Sequence, residues 1–219
     1  CPNIVSFTGP TAIQSRRAPD QGTFEMIGTD GPDKLFGGHG GGSIDGKGGD
    51  NVLWADWLQD TGGAAAQART TRITAADGNN VVFGGRGTNV ITLGNGRNFV
   101  RGGTWHNTIT VGSGSNSIRL QGKGRNTVKL RGGRAYVETY ANAYTPSIRC
   151  LKGAQATIIY GNRKPKTNCT LVVSARSARG KLLQVQGVET IPDSDPVVVP
   201  APAPGVTAGV ARPDPTTLK

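Results

Sequence analysis

The sequence predicts an all-β fold, a parallel β-roll or β-helix solenoid with capping strands and an extended proline-rich C-terminal tail. Asparagine recurs every nine residues with one slip to ten, an apolar residue follows each Asn by two positions, and glycines precede the Asn in phase. A nine-residue period of this kind is typical of stacked turns of parallel strands. The asparagines are Asn80, Asn89, Asn98, Asn107, Asn116 and Asn126. The apolar residues are Val82, Ile91, Val100, Ile109, Ile118, Val128 and, after Ala135, Val137.

Each unit predicts a Gly-rich turn followed by a short strand. Segments 89–92 and 107–110 are rich in β-branched residues, which suit strands. The middle side chain of such a strand points into the core and its neighbours point outward. A flexible linker is the alternative, because Gly makes up 34 of 219 residues. A linker would have no reason to hold its valines and isoleucines in register, so the pattern favours a solenoid.

Residues 28–36, GTDGPDKLF, resemble the nonapeptide G-G-x-G-x-D-x-U-x of the RTX (haemolysin-type) family, with Asp33 and Leu35 at the Asp and apolar positions. The next two units carry Gly42 and Asn51 where the family has Asp. The resemblance covers 28–54 and 75–138, and it implies calcium bound in the turns. It also implies that two units form one full turn, so that residues eighteen apart stack.

Under that stacking Asp33 lies over Asn51, with Asp30 and Asp50 nearby. These four residues form the candidate calcium site. Calcium requires six to eight oxygen ligands and several negative charges. Asn offers an oxygen without charge, and its amide can bond the next turn instead. For 75–138 we therefore expect a ladder of stacked Asn side chains that requires no metal.

The repeat divides the chain into an N-terminal extension or cap (1–27), the solenoid (28–138), a C-terminal β cap (139–191) and the proline-rich tail (192–219). The predicted cap and closing strands include 156–160, 170–173 and 182–185. They are expected to form wider closing turns or a separate capping sheet, which would cover the last sheet edge. We expect a neighbouring segment to hold the extended tail.

An irregular insertion is predicted at 55–74. From Leu53 to Val82 the apolar register advances by twenty-nine residues, two more than three units. The segment is either an excursion loop or a set of irregular turns of the same solenoid. Trp54 and Trp57 could form a sugar-binding platform, but packing of the loop onto the roll is the favoured interpretation.

Three cysteines are present. A disulfide between Cys150 and Cys169 would close a loop of about twenty residues and stabilise a small cap by about 3 kcal/mol. Cys1 would then be left for an intermolecular bond or a modification. The start at Cys1 and the absence of a signal peptide predict a processed, secreted or cell-surface protein.

Charge is distributed unevenly. Residues 1–96 hold seven Lys or Arg and nine acids, whereas 97–181 hold sixteen Lys or Arg and one acid, Glu138. Arg101 and Arg119 share a repeat position and are expected on one face. Such asymmetry predicts attraction to polyanions or to another copy of the chain. The candidate binding residues are Arg97, Arg101, Arg119, Lys123, Arg125, Lys129, Arg131 and Arg134.

No catalytic motif is present, and no required cofactor is expected. Aromatic residues make up 5% of the chain and no nucleic-acid module is visible, which argues against nucleic acid. No apolar run is long enough to span a membrane. The favoured function is therefore a secreted structural subunit that assembles into a filament, sheath or surface layer. The alternatives are an adhesin or matrix protein that binds acidic polysaccharide and, more remotely, a polysaccharide-active enzyme that uses Asp33 or Asp50.

Overall fold

The computed structural model describes residues 3–6, 14–17, 22–56 and 69–174. Within these ranges the chain forms strands and turns and no helix. The strands are β1 (Asn3–Ser6), β2 (Gln14–Arg17), β3 (Phe24–Ile27), β4 (Asp33–Phe36), β5 (Gly42–Asp45), β6 (Val52–Trp54), β7 (Thr70–Ala75), β8 (Val81–Phe83), β9 (Thr88–Leu93), β10 (Gly96–Arg101), β11 (Asn107–Val111), β12 (Gly114–Gly122), β13 (Asn126–Leu130), β14 (Gly133–Asn142), β15 (Ser147–Cys150), β16 (Ala154–Tyr160), β17 (Lys166–Thr167) and β18 (Leu171–Ser174).

The strands form two nine-stranded parallel sheets, one of the odd-numbered and one of the even-numbered strands. Because the chain alternates between the sheets, two successive strands make one turn of a solenoid. In the regular part Asn89 pairs with Asn107 and Asn98 pairs with Asn116, eighteen residues apart. The predicted fold class and the predicted two units per turn are both confirmed.

The core lies between the two sheets and consists of stacked aliphatic side chains. Strands alternate buried and outward residues, as in β7, β9 and β13. The side chains of Val82, Val100 and Ile118 stack from the even sheet and are 0% exposed. Ile73, Ile91 and Ile109 do the same from the odd sheet. Burial of each such side chain contributes about 1.5–3 kcal/mol.

The predicted insertion is an excursion within a single turn. Leu53 pairs directly with Val82 and Ile44 pairs with Ile73, so one turn spans twenty-nine residues. The alternative of irregular extra turns is therefore wrong. The insertion is also shorter than the predicted 55–74, because β7 is in register with both of its neighbours. Trp57 and the rest of 57–68 lie outside the described residues.

The solenoid extends beyond the predicted 28–138 at both ends. Strands β1 to β3 and β15 to β18 join the same two parallel sheets, so the predicted cap strands at 156–160 and 171–173 are closing turns rather than a separate sheet. The Cys150–Cys169 disulfide is formed, with the Cα atoms 5.4 Å apart. Cys1, the predicted strand at 182–185 and the tail at 192–219 lie outside the described residues.

Candidate functional site

Two columns of buried asparagines follow the two edges of the solenoid. Every member is 0–4% exposed. Except in the last member of each column, the amide nitrogen of the Asn donates to the side-chain oxygen of the Asn on the next turn, over 2.7–3.1 Å. The even column is Asn51, Asn80, Asn98 and Asn116, and the odd column is Asn89, Asn107, Asn126 and Asn142. The predicted Asn ladder is therefore present as two ladders.

Asn107 illustrates the bonding in the odd column, and Asn89 makes the same set of contacts to its own turn and to the next one. Its Nδ2 donates to the carbonyls of Gly103 and Trp105, at 2.8 and 3.2 Å, and to Oδ1 of Asn126 at 2.7 Å. Its Oδ1 accepts from the Gly103 N–H at 2.8 Å and from Nδ2 of Asn89 at 3.1 Å. One buried amide thus satisfies three backbone groups of its own turn and links two neighbouring turns, which offsets the cost of burying those groups.

The candidate calcium residues come together only in part. Asp33 is 1% exposed, and Asn51 Oδ1 accepts its backbone N–H at 2.9 Å. Asp33 Oδ2 accepts the N–H and the hydroxyl of Thr29, whereas its buried Oδ1 has no partner among the described residues. Asp50 instead accepts two bonds from Asn79 on the next turn, and Asp30 is exposed.

This donor set does not fit calcium. Asn51 Nδ2 donates to the carbonyls of Gly48 and Gly49 and to Asn80, so an N–H group occupies the position where a cation would need an oxygen. In the part of the chain that the structure describes, no three His, Cys, Asp or Glu side chains are grouped so that they could hold a metal ion. The geometry favours the metal-free ladder, and calcium binding stays a prediction.

A second, exposed set of ladders was not predicted. Asp77 accepts the backbone N–H of Asn95 at 2.7 Å and its Nδ2 at 3.1 Å, and Asn95 Oδ1 accepts the Ser113 N–H. Asp50 and Asn79 repeat the arrangement. The backbone and side-chain bonds from Asn95 lower the pKa of the Asp77 carboxyl. The sequence signal that could have revealed these exposed ladders is a set of polar residues that recur outside the nine-residue Asn series.

Exposed cations surround the C-terminal turns. We call twelve exposed Lys and Arg side chains in 97–174 the basic surface. They lie on both sheets and both edges, so the predicted single basic face is too narrow, although Arg101 and Arg119 do pair on adjacent strands as predicted. Seven of the eight predicted binding residues belong to this surface. Its members are Arg97, Arg101, Lys123, Arg125, Lys129, Arg131, Arg134, Arg149, Lys152, Arg163, Lys164 and Lys166.

Arg119 is the exception among the eight predicted residues. Its Nε lies 2.9 Å from Oε2 of Glu138, and its guanidinium lies 5.8 Å from the centre of the Phe99 ring. Glu138 is the one acid in 97–174. Because Arg119 pairs with it, no carboxylate in this part of the described chain is left to neutralise the basic surface. Arg119 therefore stabilises the outer side of the even sheet.

The basic surface also carries aromatic rings that composition did not reveal. Tyr144 is 49% exposed, and the Arg125 guanidinium lies 5.5 Å from the centre of its ring. Tyr140 is 41% exposed. Trp105 packs edge-on against His106, with the ring centres 5.0 Å apart, and His106 Nδ1 accepts the backbone N–H of Arg125. A surface that carries both cations and aromatic rings offers a ligand charged partners and rings on which it can stack.

Comparisons of this chain with known protein families, with curated proteins and with solved structures found no match. The relationship to the RTX family therefore stays a prediction from the repeat. Among the described residues there is no helix long and apolar enough to cross a membrane.

Proposed function

We propose that the protein is a non-catalytic extracellular β-solenoid that binds an acidic polysaccharide through the basic surface, in the role of an adhesin or matrix protein. One observation carries the proposal: twelve exposed cations surround the C-terminal turns, and the one acid there is paired with Arg119. The Cys150–Cys169 disulfide supports an oxidising, extracellular location.

The scaffold suits a long polymer better than a small substrate. Successive turns repeat at about 4.8 Å along the sheets, and they place cations on neighbouring strands in fixed positions. Lys129 of β13 and Arg149 of β15, for example, are directly paired. A polymer that contacts many such charges gains affinity from each of them, and salt weakens every contact by screening.

The test is retention on an immobilised uronic-acid polymer as a function of salt concentration. Lys129→Gln combined with Arg149→Gln should elute at lower salt than the native protein. Lys34→Gln combined with Arg72→Gln removes the same charge from the nearly neutral N-terminal part and should elute close to the native protein. Equal shifts for the two double variants would show that net charge alone governs retention, and no retention at low salt would refute the proposal.

A second candidate is the structural subunit, which assembles end to end into a filament, sheath or surface layer. The segregation of charge favours it, because a basic C-terminal part can attract the less basic N-terminal part of another copy. Negative-stain electron microscopy of the purified protein, with and without reductant and chelator, tests it. Regular filaments or sheets would support assembly, and dispersed particles in every condition would refute it.

A further inference from the structure

A shallow hollow lies at one end of an aromatic column on the outer side of the even sheet. Phe36, Trp54 and Phe83 are paired in order on β4, β6 and β8, and Arg101 of β10 takes the next position. All three rings are partly exposed. The centres of the Trp54 and Phe83 rings are 4.7 Å apart. On β10 the Phe83 ring therefore has two neighbours, Arg101 beside it and the Phe99 ring, whose centre is 6.1 Å away.

The hollow has a volume of about 120 Å³ and includes both Phe83 and Arg101 in its lining. We call the lining residues that carry a side chain the wall (Phe83, Arg86, Arg101, Thr104 and Gln121) and the lining glycines of two neighbouring turns the floor. Pockets for whole small molecules are about 300–1,000 Å³. The hollow is thus the right size for one charged group of a larger ligand that continues over the sheet.

The floor is not itself an anion-binding site. The N–H groups of Gly84 and Gly102 donate to strand carbonyls, and the N–H groups of Gly85 and Gly103 donate to ladder asparagines. Recognition must therefore come from the side chains of the wall. Arg101 is the strongest candidate, because it is exposed and pairs with no acid among the described residues.

We propose that this hollow and the adjoining aromatic column bind one end of an acidic oligosaccharide. The Arg101 guanidinium binds the carboxylate of a uronic-acid residue, as its fork-shaped donor geometry favours. The apolar face of the next sugar ring lies on Phe83 and Trp54. The amide of Gln121 and the hydroxyl of Thr104 supply further hydrogen-bonding partners at the wall. The inference rests on the proposed function and adds to it a defined subsite and a sugar chemistry.

The test uses a short uronic-acid oligosaccharide, a tetramer of galacturonate, and calorimetry on the full chain. Arg101→Ala should weaken tetramer binding by at least about tenfold, as expected for loss of a charged hydrogen-bonding partner. Arg101→Lys should recover only part of the loss, because Lys lacks the bidentate geometry. Arg72→Ala, an exposed Arg of β7 on the opposite sheet and outside the basic surface, is the matched control and should bind the tetramer as the native protein does.

Trp54→Ala tests the aromatic part. It should weaken tetramer binding while leaving salt-dependent retention on the long polymer nearly intact, with the unfolding midpoint recorded to confirm that the variant folds. Equal tetramer affinity for the Arg101 and Arg72 variants would overturn the subsite, even if the long polymer is still retained. An affinity for a single-stranded DNA tetranucleotide equal to that for the galacturonate tetramer, measured in the same way, would also overturn it, because the hollow would then recognise negative charge and not a sugar. Loss of all polymer binding in the native protein would instead refute the proposed function.

Discussion

Replacing Asn107 by Asp tests whether the buried ladders depend on amide groups. The change keeps the shape of the side chain and removes its donor. The new carboxylate would face three acceptors, the carbonyls of Gly103 and Trp105 and the side-chain oxygen of Asn126, which the amide now contacts at 2.8, 3.2 and 2.7 Å. The position is 0% exposed, so water cannot compensate without local opening of the turn.

The expected loss follows from these contacts. An uncompensated buried charge costs about 3–5 kcal/mol, and each acceptor left without a donor costs about 1–3 kcal/mol if it stays dry. These costs overlap, so we expect the free energy of unfolding to fall by about 4 kcal/mol. This is a large share of the roughly 5–15 kcal/mol that stabilises a typical protein.

The assay is urea denaturation followed by circular dichroism, in which the midpoint should fall without a change in slope. Burial raises the pKa of a carboxyl, so the proton is held more tightly in the folded state. The deficit should therefore shrink as the pH falls from about 7 to about 5. Asn95→Ala is the control, because the exposed Asn95 side chain also bridges two turns and its loss should cost less than about 1 kcal/mol.

A loss below about 1 kcal/mol for Asn107→Asp would refute the account of the ladder. Recovery of the midpoint on addition of millimolar calcium would refute it in a different way, because the column would then be a calcium site that Asn had disabled. The native protein gives a further comparison, since its midpoint should not change with calcium or chelator.

Three further predictions concern the disulfide, the glycine turns and alkaline pH. Reduction of Cys150–Cys169, or replacement of both cysteines by Ala, should lower the free energy of unfolding by about 3 kcal/mol, measured by urea denaturation with and without reductant. Gly103→Ala should destabilise the protein strongly, since its Cβ would lie 1.7 Å from a backbone oxygen of the neighbouring turn. Gly153→Ala is the control: its Cβ would meet nothing within 4 Å, and the positive φ of 85° should cost only about 1 kcal/mol. Comparison of the two melting temperatures checks this. Burial and, to a smaller extent, the nearby carboxylate of Glu138 raise the pKa of Tyr136 above its usual range. The free energy of unfolding should therefore fall as the pH rises above about 10, and it should fall less steeply in Tyr136→Phe.

The nine-residue period predicted the structural features that repeat from unit to unit. It did not predict the features that depend on how many residues each solenoid turn contains. Asn142 continues the odd column but lies sixteen residues after Asn126, because it comes from the end of β14, opposite Gly122, and not from the start of β15. A search at nine-residue intervals reached Ala135 instead. The strand β7 has no Gly or Asn marker, and only the alternation of Thr71, Ile73 and Ala75 could have revealed it.

The candidate site was less predictable for the same reason. Charge counts identified the basic part of the chain, but which cations face the same way depends on how many residues each turn uses. Lys129 and Arg149 are paired although they lie twenty residues apart. The pairing of Arg119 with Glu138 depends on a nineteen-residue turn. The bond that Asp50 accepts from Asn79, by contrast, depends on the twenty-nine-residue turn, which no period in the sequence indicates.

That long turn also has a practical use. The pairs Ile44–Ile73 and Leu53–Val82 on either side of it keep the register of the regular turns, so the stacking of the strands accommodates a connection eleven residues longer than that of an eighteen-residue turn. Protein engineers look for such permissive positions when they graft a foreign peptide onto a rigid host. Replacing 57–68 by an epitope or a tag should leave the rest of the solenoid able to fold, which would make this edge a display platform.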